Sequence, residues 1–387
     1  MVVEQAIQPK QNQTNTNQFY FYINKELISW DIYAPQENLG FAAYFSKVLQ
    51  TVDRALPNQG LIFYVTMTEM KELPSYGDNV FVFILGDEFY RIPDYADKVG
   101  AIFKSYGTHQ IREQLGIYRP LLKPSYFKAL MLGQSIKNLA HRLTNKIKRR
   151  FRKVRALLLG RGNIAPIYDI PPGYYNSENL PIKPIANRVY DTFFEGSMIQ
   201  GNYPVWSLRY WSKTPKTYSR EQMVENLQKF KDKYPQFQIK LTKTAGFALA
   251  GEDDDPGSYS QKMMNTKVCL APRGTTLETY RLFEAMRYGC VIITEVLPPR
   301  WFYDGAPVIQ IGNWQNLDTV LSKLLNNEML LQALHEQTLE WWHTKCSEEV
   351  VGRFAAEKIN WVLNKDPVFI PVALKAAPEP EIPRRAA

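Results

Sequence analysis

The chain predicts a mixed α/β protein built from two βαβ domains, each with a largely parallel sheet. Short β-rich apolar runs alternate with segments of helical periodicity, the pattern of strands joined by crossover helices. The alternation stops at a basic segment and a proline-rich stretch, then restarts. The length of 387 residues also fits two cores better than one.

Residues 1–17 are rich in Gln, Asn and Thr, the composition of a disordered tail. Residues 18–132 make the first unit. Phe19 to Ile23 reads as a strand, and Phe41 to Leu56 as a helix after the Asn38-Leu39-Gly40 turn. Leu61 to Met67 and Val80 to Leu85 are strands, and Ala101 to Tyr106 is either another strand or the continuation of a helix. Residues 133–161 form a basic segment, and residues 162–184 a linker whose Pro166, Pro171, Pro172 and Gly173 break any helix.

The second unit spans 185–365. Its strands are Tyr190 to Glu195, Gln238 to Leu241, Lys267 to Ala271, Cys290 to Thr294 and Val308 to Ile311. Its helices are Arg220 to Tyr234, Ser258 to Asn265, Thr276 to Tyr288 and Leu317 to Leu325, with Leu330 to Trp361 mostly helical. Residues 366–387, rich in Pro, Ala and charge, read as a second disordered tail.

A hydrophobic content of 45% with 22% charged residues is that of a soluble globular protein. The longest apolar runs, Val80 to Leu85 and Val291 to Ile293, are strand-length, against the ~20 residues needed to cross a bilayer. Met1 to Asn17 holds no apolar run of the kind a secretory signal needs, so none is expected. Cys269, Cys290 and Cys346 have neither a disulfide framework nor zinc-ligand spacing, so a reducing, cytoplasmic compartment is expected.

The net charge of +9 is localised. Residues 133–161 hold ten Lys and Arg and no acid, one cation more than the whole chain's excess. Ile136, Leu139, Leu143, Ile147, Phe151, Val154 and Leu158 recur there every three or four residues, so the segment predicts a basic amphipathic helix. Such a helix suits an anionic membrane surface, where each cation contributes ~1 kcal/mol; the alternative is a helix packed on the protein with a solvated charged face. No recognised motif supports nucleic-acid binding.

The most informative stretch is 267–295: strand, Arg273-Gly274-Thr275-Thr276 turn, helix, Gly289, strand. A glycine turn feeding a helix gathers backbone N–H groups and the positive end of the dipole at one spot. Thr275 and Thr276 add hydroxyls, and Arg273 offers a planar fork to a phosphate. Arg281 and Glu284 are neighbours on one helix face, and Glu284 is placed to accept hydrogen bonds from ribose hydroxyls. The other reading makes Arg273 a surface ion-pair partner and Glu278, Arg281 and Glu284 an exposed charge ladder.

This stretch resembles the C-terminal signature of the exostosin-like (GT47-type) glycosyltransferases, through Pro272-Arg273-Gly274, Arg281, Glu284-Ala285, Gly289-Cys290 and Val291-Ile292-Ile293. Tyr190 to Gly196 and Ser258 to Gln261 are similar to that family's preceding elements, and the similarity covers roughly 185–312. The resemblance implies a GT-B fold, two Rossmann-like domains facing across a cleft, with a nucleotide-diphospho-sugar donor, a UDP-sugar foremost, and no cofactor or metal. By position, Glu284 would hold the ribose and Arg273 and Arg281 the diphosphate, with Gly274, Thr275 and Thr276 as helix N-terminal donors. Retaining relatives carry a glutamate eight residues before the ribose-binding one. Here that residue is Thr276, which favours an inverting reaction.

An inverting transferase needs a base for the acceptor hydroxyl. Asp87 and then Glu88, after the strand Val80 to Leu85, are the first choices, because open α/β sheets bind ligands at strand C-terminal ends. A loop acid capping the next helix is the alternative, and Glu69 is a third candidate. His109 could line the cleft or be structural. Asp253-Asp254-Asp255 beside Pro256-Gly257 reads as a solvated turn rather than a metal site, and Trp341, Trp342 and Trp361 as packing residues. The expectation is a glycosyltransferase acting on a glycan or lipid-linked acceptor; the rival is a non-catalytic nucleotide-sugar-binding or membrane-associated scaffold.

Overall fold

The computed structural model describes residues 16–23, 26–34, 40–67, 70–88, 91–107, 165–198, 215–244 and 258–364, with positions 143, 144, 147, 150, 151 and 154. Glu69, His109, Asp253-Asp254-Asp255, the C-terminal tail and nearly all of the N-terminal one lie outside the described residues.

Strands β1 (Gln18–Ile23), β2 (Glu26–Ser29), β3 (Ile62–Thr66), β4 (Gly77–Ile84), β5 (Val99–Lys104) and β6 (Ile167–Asp169) form one sheet in the order β2-β1-β3-β4-β5-β6. Only β2 runs antiparallel, as a hairpin on β1. The second sheet, β7 (Tyr190–Ser197), β8 (Ile239–Thr244), β9 (Thr266–Ala271), β10 (Val291–Glu295) and β11 (Ile309–Ile311), has the order β11-β10-β9-β7-β8 and is wholly parallel. These are two Rossmann-like units, as the alternating pattern predicts.

Alternation along the strands separates the faces. In the first sheet the register brings Phe19 beside Phe63 and Phe83 beside Phe103, with ring centroids 4.8 and 4.6 Å apart. Helix α1 (Gly40–Ala55) covers this aromatic face, burying Phe41, Tyr44, Phe45, Val48, Leu49 and Val52 at helical spacing. On the opposite face Val80, Val82, Ile84 and Ile102 are covered by Met70, Leu73, Ile92 and Tyr95 from loops.

In the second sheet Phe194, Val268, Leu270, Val291 and Ile293 face helices α2 (Pro215–Lys233) and α5 (Leu317–Leu325). Their neighbours Phe193, Cys269, Ala271 and Ile292 face α3 (Tyr259–Met264) and α4 (Tyr280–Arg287). Helix α6 (Glu328–Trp341) leads into α7 (Glu348–Asn364), which packs on α1 and so returns the chain to the first unit. Trp342 belongs to this shared core beside Tyr44 and Tyr174, whereas Trp361 is half exposed and does not pack as expected.

Two strands go beyond the sequence reading. The hairpin strand β2 is one. The other is β6, from the proline-rich stretch read as a simple break; its prolines at 166, 171 and 172 flank the three residues that pair with β5. Two helix starts also move. Helix α2 already includes Pro215, five residues before the expected Arg220. Helix α4 begins at Tyr280, four residues after the expected Thr276.

The delay of α4 has a local cause. Glu278 and Arg300 form a bidentate pair, Nε to Oε1 and Nη2 to Oε2 both 3.0 Å, with each side chain 1% exposed. Drawing Glu278 inward keeps residues 274–279 out of the helix, and Thr279 becomes its N-cap. Arg300 also reaches the first unit, donating to the Tyr106 carbonyl at 3.0 Å and pairing with Asp169 at 3.1 Å. Gly107, at φ +60°, sits against this guanidinium, and a Cβ there would lie 2.2 Å from Nη1.

Removing Arg300 strands a buried carboxylate. Arg300→Met should cost about 3–5 kcal/mol in chemical denaturation, and adding Glu278→Gln should recover part of it, because the two side chains couple directly. Lys229→Met, which breaks an exposed pair with Glu225, should leave the denaturation midpoint unchanged.

Candidate functional site

The C-terminal ends of both parallel sheets meet, the place where open α/β sheets hold ligands. From the first unit come Asp87 and Glu88 after β4 and Tyr106 after β5; from the second come the turn 272–279 after β9, Ser197 at the end of β7, and the start of α2. Thr275 hydrogen-bonds Glu88 across the junction, and Tyr106 shares a hydrogen bond with Tyr280.

The two adjacent acids differ in kind. Asp87 is buried in an ion pair with the fully buried Lys104, at 2.7 Å, and accepts from the Arg91 backbone N–H at 2.9 Å. Lys104 in turn donates to the Arg91 carbonyl at 2.6 Å. Asp87 therefore fixes the loop after β4, close to the loop-capping alternative. Glu88 faces the second unit. Burial raises its carboxyl above the ordinary carboxylate range, against the opposing pull of the Thr275 hydrogen bond and the Lys216 charge.

Four cations border the same space. Arg273 is buried and donates to the Thr275 carbonyl at 3.3 Å. Arg281 donates to the Glu195 carbonyl and, at 3.3 Å, to the Tyr259 hydroxyl, and it lies 4.5 Å over the Phe194 ring. Its Nη1 is buried with no hydrogen-bond partner among the described residues. Gly196 makes this approach possible, since a Cβ there would lie 2.5 Å from Arg281 Nη2. Arg220 donates to the Ser197 carbonyl at 2.6 Å and to the Arg273 carbonyl at 3.3 Å.

Burial lowers Arg281, but Tyr259, Cys269 and Glu284 more than offset it and hold that guanidinium above its ordinary value, whereas two of its neighbours go down. Burial first, and then the Arg281 charge, bring Arg220 down to about 9. Lys216 is lowered by burial, then by Arg220 and Arg281, while Glu88 pulls it back up. Arg220 stays protonated at neutral pH, so the folded protein holds desolvated, mutually repelling cations at one place. An anion there would relieve that repulsion.

Lys216 and Arg220 were missed in the sequence. A signal existed: they sit four apart, on one face of α2, and reading the helix from Arg220 left Lys216 outside it.

The structure relocates two expected roles. Gly274, Thr275 and Thr276 lie in the turn before α4 rather than at its N-terminus, and the Thr276 hydroxyl donates to the Glu278 carbonyl at 3.1 Å. They are therefore not first-turn donors, because the Glu278–Arg300 pair holds that turn away from the helix. Arg281 and Glu284 do share a face of α4, but Glu284 is turned toward the linker. Its Oε1 accepts from the Tyr175 and Asn176 backbone N–H groups at 3.2 and 3.0 Å, and from Asn176 Nδ2 at 2.7 Å. Among the described residues only Oε1 is engaged. Neither Glu278 nor Arg273 is an exposed charge, which removes the surface-ladder reading. The described residues contain no group of three side chains placed to hold a metal ion.

No family model and no curated protein matches the chain. Among solved structures it is similar to an alpha-glucosyltransferase in complex with UDP-glucose and DNA containing an abasic site, at 10% identity and a TM-score of 0.34, over 89% of this chain and 100% of that one. It is also similar to the GtfA/B complex, at 11% identity and a TM-score of 0.35, over 84% of this chain; it spans only 56% of that chain's length. Overlap this distant assigns no activity.

The shifted groups set signs for stability. A carboxyl raised by folding favours the native state at acid pH, and that advantage is lost as pH rises through its folded pKa. Glu88→Gln should therefore raise the thermal midpoint at pH 7, with the gain vanishing toward about pH 4. An amine lowered by folding penalises the native state once protonated, so Lys216→Met should also be stabilising at pH 7. That gain should shrink as pH rises toward about 10. Inorganic pyrophosphate should stabilise the wild type more than Lys216→Met in the same thermal scans.

Proposed function

We propose that the chain is an inverting, exostosin-like glycosyltransferase that moves a sugar from a nucleotide-diphospho-sugar, a UDP-sugar foremost, to a hydroxyl of a glycan or lipid-linked acceptor. The observation that carries this is the set of cations, half-buried Lys216 with buried Arg220 and Arg281, opposite the raised carboxyl of Glu88. A diphosphate is the ligand chemistry that such a set suits, and the unpartnered Arg281 Nη1 is one donor waiting for it.

In the proposed reaction Glu88 accepts the proton of the acceptor hydroxyl as that oxygen attacks the anomeric carbon. The bond from the anomeric carbon to the diphosphate oxygen breaks, and its electron pair leaves with the phosphate. Lys216, Arg220 and Arg281 take up the negative charge that develops there, a role that needs no metal. A carboxyl raised by burial is a stronger base than an ordinary one, which suits Glu88 to the proton transfer. Arg273 shapes the turn from within, and Thr275 ties that turn to the base. Glu284 would meet the ribose through Oε2 while Oε1 holds the linker.

The test is a panel of UDP- and GDP-sugars, followed by calorimetry and by transfer or hydrolysis of the donor. Glu88→Gln should bind donor normally and lose about 10²–10⁴ in kcat. Lys216→Met should weaken donor binding about tenfold, in keeping with one charge-assisted contact. Turnover unaffected by Glu88→Gln would remove that residue as base. Binding without turnover of any donor would leave the non-catalytic reading in its place.

A further inference from the structure

The described positions within the basic segment are all helical, and four of them are large apolar residues open to solvent: Leu143 at 51%, Ile147 at 67%, Phe151 at 72% and Val154 at 56% exposed. Their spacing of four, four and three residues puts them on one side of a helix. The other exposed large hydrophobics are mostly single residues spread through the fold, which is ordinary for a protein surface. This row is different because its four members recur at helical spacing and because of its charge. Arg150, exposed and helical, stands within it, and residues 133–161 hold ten Lys and Arg without one Asp or Glu.

We infer that this helix is a docking surface for an anionic lipid bilayer, with the apolar row entering the acyl boundary and the cations resting on lipid headgroups. Charge complementarity selects that occupant. A second copy of the chain would bring two such cation sets together. A nucleic acid would neutralise the cations but leave Ile147 and Phe151 in water. A bilayer with anionic headgroups satisfies both properties at once. Ten cations within residues 133–161 suit the headgroup level and not the hydrocarbon core, so the predicted mode is lying on the surface.

The experiment is flotation of the full chain on a density gradient with vesicles of phosphatidylcholine alone or mixed with phosphatidylglycerol. Binding should require the anionic lipid and weaken with salt. The double variant Ile147→Ser/Phe151→Ser keeps every charge, and Arg149→Glu/Arg150→Glu keeps every apolar residue; each should lower the bound fraction by roughly tenfold. The apolar side chains replaced are exposed, so the thermal midpoint should not move, and an unchanged midpoint establishes that the variant is folded. Equal flotation with neutral vesicles, or flotation unchanged in the serine variant, would overturn the inference. So would absence of flotation together with a stripe-dependent dimer in sedimentation. Donor binding in these variants should match the wild type, so this result stands or falls apart from the transferase reading.

Discussion

The buried pair between Glu278 and Arg300 is the constraint on which the arrangement of the site depends. Two unscreened charges inside a protein are tolerated only when geometry and additional hydrogen bonds compensate their lost hydration. Here the fork of Arg300 meets both carboxylate oxygens of Glu278 and still reaches Asp169 and the Tyr106 carbonyl. One guanidinium therefore ties the turn after β9, the loop after β10 and two strand ends of the other unit. The shape of that turn and the late start of α4 follow from it. The need for a residue without a Cβ at Gly107 follows as well. A lysine could not do this, because its point charge lacks the planar set of donors.

A second joint lies on the far side of α4. Glu284 anchors the linker through three donors, and Arg287 extends the contact by stacking 4.1 Å over Tyr174 and donating to Asn179 Oδ1 at 3.0 Å. Tyr174 itself packs on Tyr44 of α1 and Trp342 before α7. Between these joints Lys216 and Arg220 are lowered by burial and by neighbouring cations, a repulsion that Glu88 and Glu295 offset only in part. The joints supply the rigidity that such a cluster demands. Without them like charges would separate by moving the elements that carry them, and the site would lose its field.

Most of the fold was legible in the sequence because parallel strands and their covering helices have opposite periodicities. Val268, Leu270, Val291 and Ile293 alternate with Cys269 and Ile292, and both sets are apolar, as strands covered on two faces must be. The elements that escaped are those with weak patterns: β2 has little buried surface, and β6 is three residues between prolines. In the site, Arg273, Arg281 and Glu284 were visible as charges in an ordered motif, but their partners were not. The Glu278–Arg300 pair joins residues 22 apart, and the Glu284–Asn176 contact residues 108 apart. No local spacing reports such pairings.

Asp87 and Glu88 show the same limit at the smallest scale. They are adjacent, chemically alike and at the end of one strand, so sequence reasoning had no basis for separating them beyond order. Their side chains leave the backbone in different directions, and the surroundings then decide. Lys104 lies at the end of the neighbouring strand β5 with no exposure of its own. A buried ammonium there requires a carboxylate, and Asp87 is the one within reach. With Asp87 committed to Lys104, the neighbouring acid turns to the opposite unit, toward Thr275 and the Lys216 charge. There burial raises it, where a full ion pair would hold it down. The buried lysine in the first sheet thus sorts the two acids, giving one to the fold and presenting the other, its carboxyl raised by burial, to the cleft.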